Sequence, residues 1–392
     1  MGKHKVDVGP ASYENWRSAL SGAPSGCAYE CPLFSDAYFT GEWTTGLGPY
    51  ELINTIPHLD KGVLRQTIVL RHAHYLKHDV DTIDFDHTDV SRYHGASLVE
   101  EIAALLSLSL GARLKAGGAT RRFDGGDPRG RPVSYHGHED PVLFHLRGSA
   151  RVVPDAFADK CINDASLLAR LPDLSPEQAV AIVRAARQYQ EALWLVEIEP
   201  QLAWVMFVSA IEIAANQWRA AQDSPRDRLS TSRPDLEKEL LAAGGEDLTH
   251  RIAKMVAPYM GATKKFLDFC IAFMPPAPGI RPPGYVQHSW VEADLLRSLK
   301  VIYDWRSRAL HAGTPFPQPM CDPPPRLEGR YAEKPLGLAS ASLGAVWQGD
   351  DTPMLLRTFE HIVRGALLRW WSSMCPTINK AEDPSAAEQV GG

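Results

Sequence analysis

The chain has 392 residues, 44% of them hydrophobic and 22% charged, with a formal net charge of −6. That length suits two or three domains with a sizeable core, and the composition excludes a disordered or collagen-like chain. The acidic balance excludes a global basic field for nucleic acid, so any such contact needs a local patch.

The first residues, MGKHKVDVGPASYENWR, carry neither the apolar run of a secretory signal nor a basic amphipathic presequence. Val6 breaks the myristoylation pattern that Gly2 would open. Cys27, Cys31, Cys161, Cys270, Cys321 and Cys375 are scattered, so a reducing, cytoplasmic setting with free thiols is expected. Cys27 and Cys31 have no second pair with which to hold zinc.

LRQTIVLRHAHYL (Leu64 to Leu76) is β-branched and partly alternating, which predicts a strand. It opens a region that holds His72, His74, His78, His87 and His94. On a strand His72 and His74 share a face and make a usable metal pair, with Asp84 and Asp86 able to add oxygens. The region lacks HExxH, and a solvated hairpin edge has the same composition, so no metal site is expected.

Ser97 caps a predicted helix over SLVEEIAALLSLSLGARL. Gly117 to Asp140 is polar and glycine-rich, which predicts a loop. Its Arg121, Arg122, Arg129 and Arg131 can meet phosphates, although neighbouring aspartates dilute them. GGDPRG is not a phosphate loop, because no Gly-Lys-Ser/Thr follows. PVLFHLRG and ARVVPDAF predict further strand.

From about Asp173 the pattern turns helical. Ser175 and Pro176 open a helix, with Glu177 and Gln178 close behind. Pro200 starts another, PQLAWVMFVSAIEIAANQW, apolar nearly all round and therefore central. Glu197, Glu199 and Pro200 interrupt the most apolar run, so no membrane span is expected. DLTHRIAKMVAPYM, ATKKFLDFCIAFM, WVEADLLRSLKVIYDWRSRALHA and TPMLLRTFEHIVRGALLRWW complete the helices. The expected plan is an α+β sensor or regulatory module over residues 1–160, an all-α bundle over 161–378 and a disordered tail over 379–392.

VIYDWRSRALHAGTPFP (Val301 to Pro317) gathers Arg306, Arg308 and His311 at the end of a helix. Cations there favour the helix dipole and cap free carbonyls, which is one reading. The other is chemical. Arginine is a permanent planar cation matched to phosphate, and histidine moves protons near neutral pH. Together they suffice to cleave RNA through attack of its 2′-hydroxyl. Five positions apart on a helix, Arg306 and His311 point about 140° apart. Gly313 and Pro315 are expected to loosen the helix and help them converge.

The string resembles the signature of HEPN domains, in particular the ApeA-like branch, where a helix ends in Tyr-x-x-Arg-x4-His-Gly. Tyr303, Arg306 and His311 match it. Ser307 stands where the family more usually has Asn, Asp or His, and Ala312 separates His311 from Gly313. AWVMFVSAIEIAAN resembles the family's first core helix, and the glutamate carried there would be Glu212. A carboxylate so placed is costly unless paired, and Arg306 or Arg308 is its expected partner. The resemblance covers the chain in outline from Ser175 to Trp371.

The resemblance implies a HEPN-like helical bundle that acts as a homodimer on RNA. It implies a metal-independent endoribonuclease without cofactor, serving anti-phage defence (abortive infection) or a toxin–antitoxin pair. Arg306 and His311 would be catalytic, with Glu212, Tyr303, Ser307 and Arg308 supporting. A phage-derived or nucleotide trigger would act at the N-terminal module. The alternative is a non-catalytic HEPN-like protein that dimerises or binds a partner. A metalloenzyme using the N-terminal histidines is the third reading.

Overall fold

A computed structural model describes residues 8–55, 64–76, 86, 88, 90, 93–137, 150–218, 224–257 and 261–376. PVLFHLRG, His78, His87 and the expected tail lie outside these residues, and structural statements below refer to the described ones.

Helix α1 (Ala11–Leu20) leads into strands β1 (Ala28–Ser35), β2 (Phe39–Thr40), β3 (Tyr50–Asn54) and β4 (Arg65–Ala73). Helix α2 (Leu98–Leu110) follows, then β5 (Lys115–Ala116), β6 (Arg121–Phe123), β7 (Ser134–Tyr135) and β8 (Lys160–Cys161). The antiparallel sheet runs β3-β4-β1-β6-β7, with β5 also on β1. β1 pairs with β4 from Ala28↔Ala73 to Ser35↔Arg65, and the register shifts between Leu33 and Phe34. β2 and β8 form a separate parallel pair. The polar segment from Gly117 thus contributes two short strands. ARVVPDAF is a 3-10 turn (Pro154–Phe157) instead of a strand, with Pro154 at its first position.

The remainder is mostly helical: α3 (Pro176–Leu195), α4 (Pro200–Trp218), α5 (Pro225–Ser232), α6 (Pro234–Val256), α7 (Ala262–Ala272), α8 (Glu292–Ala312) and the short α9 (Gln318–Cys321). Two ribbons follow, β9 (Arg326–Leu327) with β10 (Arg330–Tyr331) and β11 (Ala339–Ser342) with β12 (Ala345–Gln348). Helix α10 (Leu356–Met374) closes the fold. No helix is long and apolar enough to cross a membrane.

Local chemistry places these helices. Ser97 and Ser175 each complete a capping box, with Glu100 and Gln178. Gly111 ends α2 in the left-handed region, where a Cβ would meet Arg364 Nε at 2.8 Å. Arg364 of α10 donates to the carbonyls of Leu108 and Ser109, so the last helix caps the second.

One hydrophobic cluster runs from Tyr13 and Leu33 through Leu105, Ile182 and Trp204 to Ile302 and Trp371. The core therefore continues across residue 160, where α2 packs on α3. Each fully buried Leu or Ile in it contributes about 1.5–3 kcal/mol.

Glu101 of α2 caps α1, accepting from Ser12 N at 2.7 Å and Ala11 N at 3.2 Å. Burial pushes its carboxyl up from the ordinary 4.5 to about 7, against those two donors. A raised carboxyl binds its proton more tightly in the folded chain. Its contribution is therefore full below about pH 4.5 and lost as pH rises through about 7. Glu101→Gln fixes a neutral side chain, and a series of melting temperatures against pH is expected to lose that slope. A slope unchanged in the variant would place it on another group.

Candidate functional site

The site is built where α8 crosses α4. Tyr303 and Arg306 are one turn apart on α8 and share a face. Both reach Glu212 of α4: Tyr303 donates its hydroxyl to Oε1 at 2.8 Å, and Arg306 Nη2 ion-pairs with Oε2. The Arg306 and Glu212 side chains are only 18% and 17% exposed. Of the two arginines expected as partner, Arg306 is the one used.

Tyr303 also hydrogen-bonds Thr263 of α7. Burial, and next the Glu212 charge, raise its phenol well above the ordinary range, so it remains a donor to Glu212. The guanidinium carbon of Arg306 lies 5.6 Å from the Tyr303 ring centroid. Its Nε is buried without a hydrogen-bond partner. The arginine is thus fixed through one nitrogen and keeps donors in reserve.

Arg308 takes a different course. It is exposed and stacks over Trp305, 4.6 Å from the ring centroid, and Trp305 Nε1 donates to Asp351 O at 2.9 Å. Ser307 is half-buried. His311 is exposed and makes no hydrogen bond or ion pair among the described residues.

The expected loosening near His311 does not occur. α8 stays helical to Ala312, and Gly313 caps it at φ 65°. The N–H groups of Gly313 and Thr314 both donate to Arg308 O, which satisfies the end of the helix. Arg306 and His311 therefore remain about 140° apart around one helix. Within one chain the structure joins Arg306, Tyr303 and Glu212 and leaves His311 outside the group.

In the N-terminal histidine region, His72 is buried on β4 and stacks on Tyr29 with centroids 5.4 Å apart. Burial, with a smaller effect of His74, pulls its imidazole down to about 4. The His72 and His74 rings are 6.4 Å apart, and His94 lies elsewhere, beside Arg184. Among the described residues no three His, Cys, Asp or Glu side chains are grouped to hold a metal ion. Arg121 is drawn to the buried Glu30, and Arg129 to Glu51.

The chain was compared with protein-family models, curated proteins and solved structures. It matches none of them. The resemblance to HEPN domains rests on the residues of α4 and α8 alone.

Sequence reasoning missed a second polar centre. Glu333, 1% exposed, accepts from Arg281 Nε at 2.9 Å, from Arg281 Nη2 and from the backbone N–H of His288 at 2.8 Å. Arg281 and His288 lie between α7 and α8, and Glu333 follows β10, so the three come together from segments outside the long helices. Long-range pairing of that kind leaves no periodic signal.

Proposed function

We propose that the chain is a HEPN-class endoribonuclease that cleaves RNA without metal and acts as a homodimer. The observation that carries this reading is the Arg306 guanidinium held by Glu212, itself bonded by Tyr303, on the helix that also presents an exposed His311. In the reaction, the 2′-hydroxyl of RNA attacks the adjacent phosphorus and the 5′-oxygen of the next nucleotide leaves. His311 transfers the proton, and Arg306 steadies the charge on the phosphoryl oxygens. The products are a 2′,3′-cyclic phosphate and a 5′-hydroxyl.

Because the two side chains face about 140° apart, a second copy would have to complete the site by bringing its histidine to the first copy's arginine. A cytoplasmic role in anti-phage defence or a toxin system belongs to the same proposal. So does a trigger acting on the sheet-containing region.

The test is incubation of a mixed RNA substrate with the purified chain in EDTA, beside His311→Ala. Cleavage that survives EDTA, leaves cyclic phosphate ends and disappears in the variant is the expected result. Cleavage lost in EDTA but kept in His311→Ala would sink the proposal. The exposed, unengaged His311 supports a second reading, a non-catalytic bundle that dimerises or binds a partner. That reading expects RNA left intact by both proteins.

A further inference from the structure

A cleft of about 270 Å³ lies where α10 meets the end of α2 and strand β8. Arg357, Glu360, His361 and Arg364 of α10 line it, at the i, i+3, i+4 and i+7 spacing that shares one helix face. Gly111, which ends α2, and Lys160 of β8 also line it, with Asp155 and Gly279 beside them. Clefts that take drug-sized ligands measure about 300–1,000 Å³, so this one suits a smaller molecule.

The charges of the lining do not cancel. Arg357 Nε pairs with Asp155 Oδ2 at 2.7 Å, and that pair is neutral. His361 turns Nε2 to the Pro276 carbonyl at 2.9 Å. Arg364 spends Nε and Nη2 on the carbonyls of Leu108 and Ser109, which carry no opposing charge, and keeps Nη1 in reserve. Lys160 is half-buried, and its ammonium makes no hydrogen bond or ion pair among the described residues. Burial, and next the Arg364 charge, lower its basicity, as two like charges held near one another require. Asp164 also bears on it, but is exposed and outside the lining. Within the cleft Glu360 alone opposes these two cations, which leaves one positive charge in surplus.

Glu360 has capacity of its own. It is 6% exposed, and its Oε1 accepts from the Tyr189 hydroxyl. Its Oε2 makes no hydrogen bond among the described residues and is left to accept one from a ligand. Two cations beside a carboxylate acceptor match a carboxylate that carries a hydrogen-bond donor on the next carbon. A phosphate monoester brings about two negative charges to a surplus of one, and its fully ionised form offers Glu360 no donor.

We propose that this cleft binds a small carboxylic acid substituted at carbon 2, with its carboxylate on Lys160 and Arg364 and its hydroxyl or ammonium on Glu360. That chemistry comes from a 2-hydroxy acid or from an α-amino acid. The proposal stands apart from the ribonuclease reading, because Arg306 and His311 do not line the cleft. A ligand held there joins Lys160 of β8 to the closing helix and, binding only the folded chain, should raise its melting temperature.

The experiment is calorimetric titration of the full chain with three matched sets and with inorganic phosphate. The sets are glycine, glycolate and acetate; L-alanine, L-lactate and propionate; and L-valine, L-2-hydroxyisovalerate and isovalerate. An amino acid or a hydroxy acid is expected to saturate below about 5 mM, and the member of its set without the donor should bind about tenfold more weakly. Which of the two saturates identifies the class of occupant. Lys160→Met keeps the apolar stem and loses no bond within the chain, so it should weaken the ligand about tenfold or more without lowering the melting temperature. Glu360→Gln can still accept from Tyr189, and should weaken an amino acid about tenfold and a hydroxy acid less. No saturation by any of these acids at about 5 mM would overturn the proposal. Phosphate binding more tightly than every acid, or wild-type affinity in Lys160→Met, would overturn it too.

Discussion

Arg306→Ala is expected to reduce RNA cleavage about 10²–10³-fold, the usual cost of removing one preorganised donor to a developing oxyanion. Glu212→Ala should fall by a similar factor although Glu212 never meets the substrate. Both its oxygens are spent on Tyr303 and Arg306, so without it the guanidinium loses its charge partner among the described residues. Because the two residues act as one unit, the double variant is expected to be little worse than either single one. Arg306→Lys should not rescue, since an ammonium cannot hold Glu212 and a phosphate in the same fixed geometry. The pair is partly solvated, so breaking it should cost only about 1–2 kcal/mol of stability, less than a fully buried pair. A thermal melt accompanies each assay: normal cleavage by Glu212→Ala would remove the carboxylate from the mechanism, whatever the melt shows.

The helices were legible because their signals are local. Ser97 and Ser175 occupy cap positions with an acid or amide three residues on, and the structure uses all four side chains as the pattern predicts. The apolar girth of α4 likewise marked it as central, and Trp204, Phe207 and Ile211 are fully buried. β1 was not legible. It pairs with β4, β5 and β6 and is buried along nearly its whole length, so it shows no alternation, and Pro32 in its middle argues against a strand. Its register shift falls next to that proline. The candidate site divides in the same way. The resemblance singled out Tyr303 and Arg306, but choosing between Arg306 and Arg308 as the partner of Glu212 needed the crossing of α4 and α8. Arg308 pairs instead with Trp305, its own neighbour one turn back.

Trp204→Ala is expected to lower unfolding free energy by about 3–5 kcal/mol, read as a lower urea midpoint at unchanged slope. The ring is fully buried and stacks between Phe316, 5.2 Å away at 10°, and Phe359, 4.8 Å away at 19°. Each aromatic pair adds about 0.5–1.5 kcal/mol beyond the area it buries. Three elements meet there: α4, α10 and the chain immediately after α8. Phe316 follows Gly313 by three residues, so the stack anchors the exit from the helix that carries His311. Its loss should loosen that exit as well as the core. Trp204→Phe keeps an aromatic ring in the gap and should cost about 1–2 kcal/mol, with the helix end still held. If Trp204→Ala and Trp204→Phe unfolded at the same urea concentration, the double stack would carry no stability of its own.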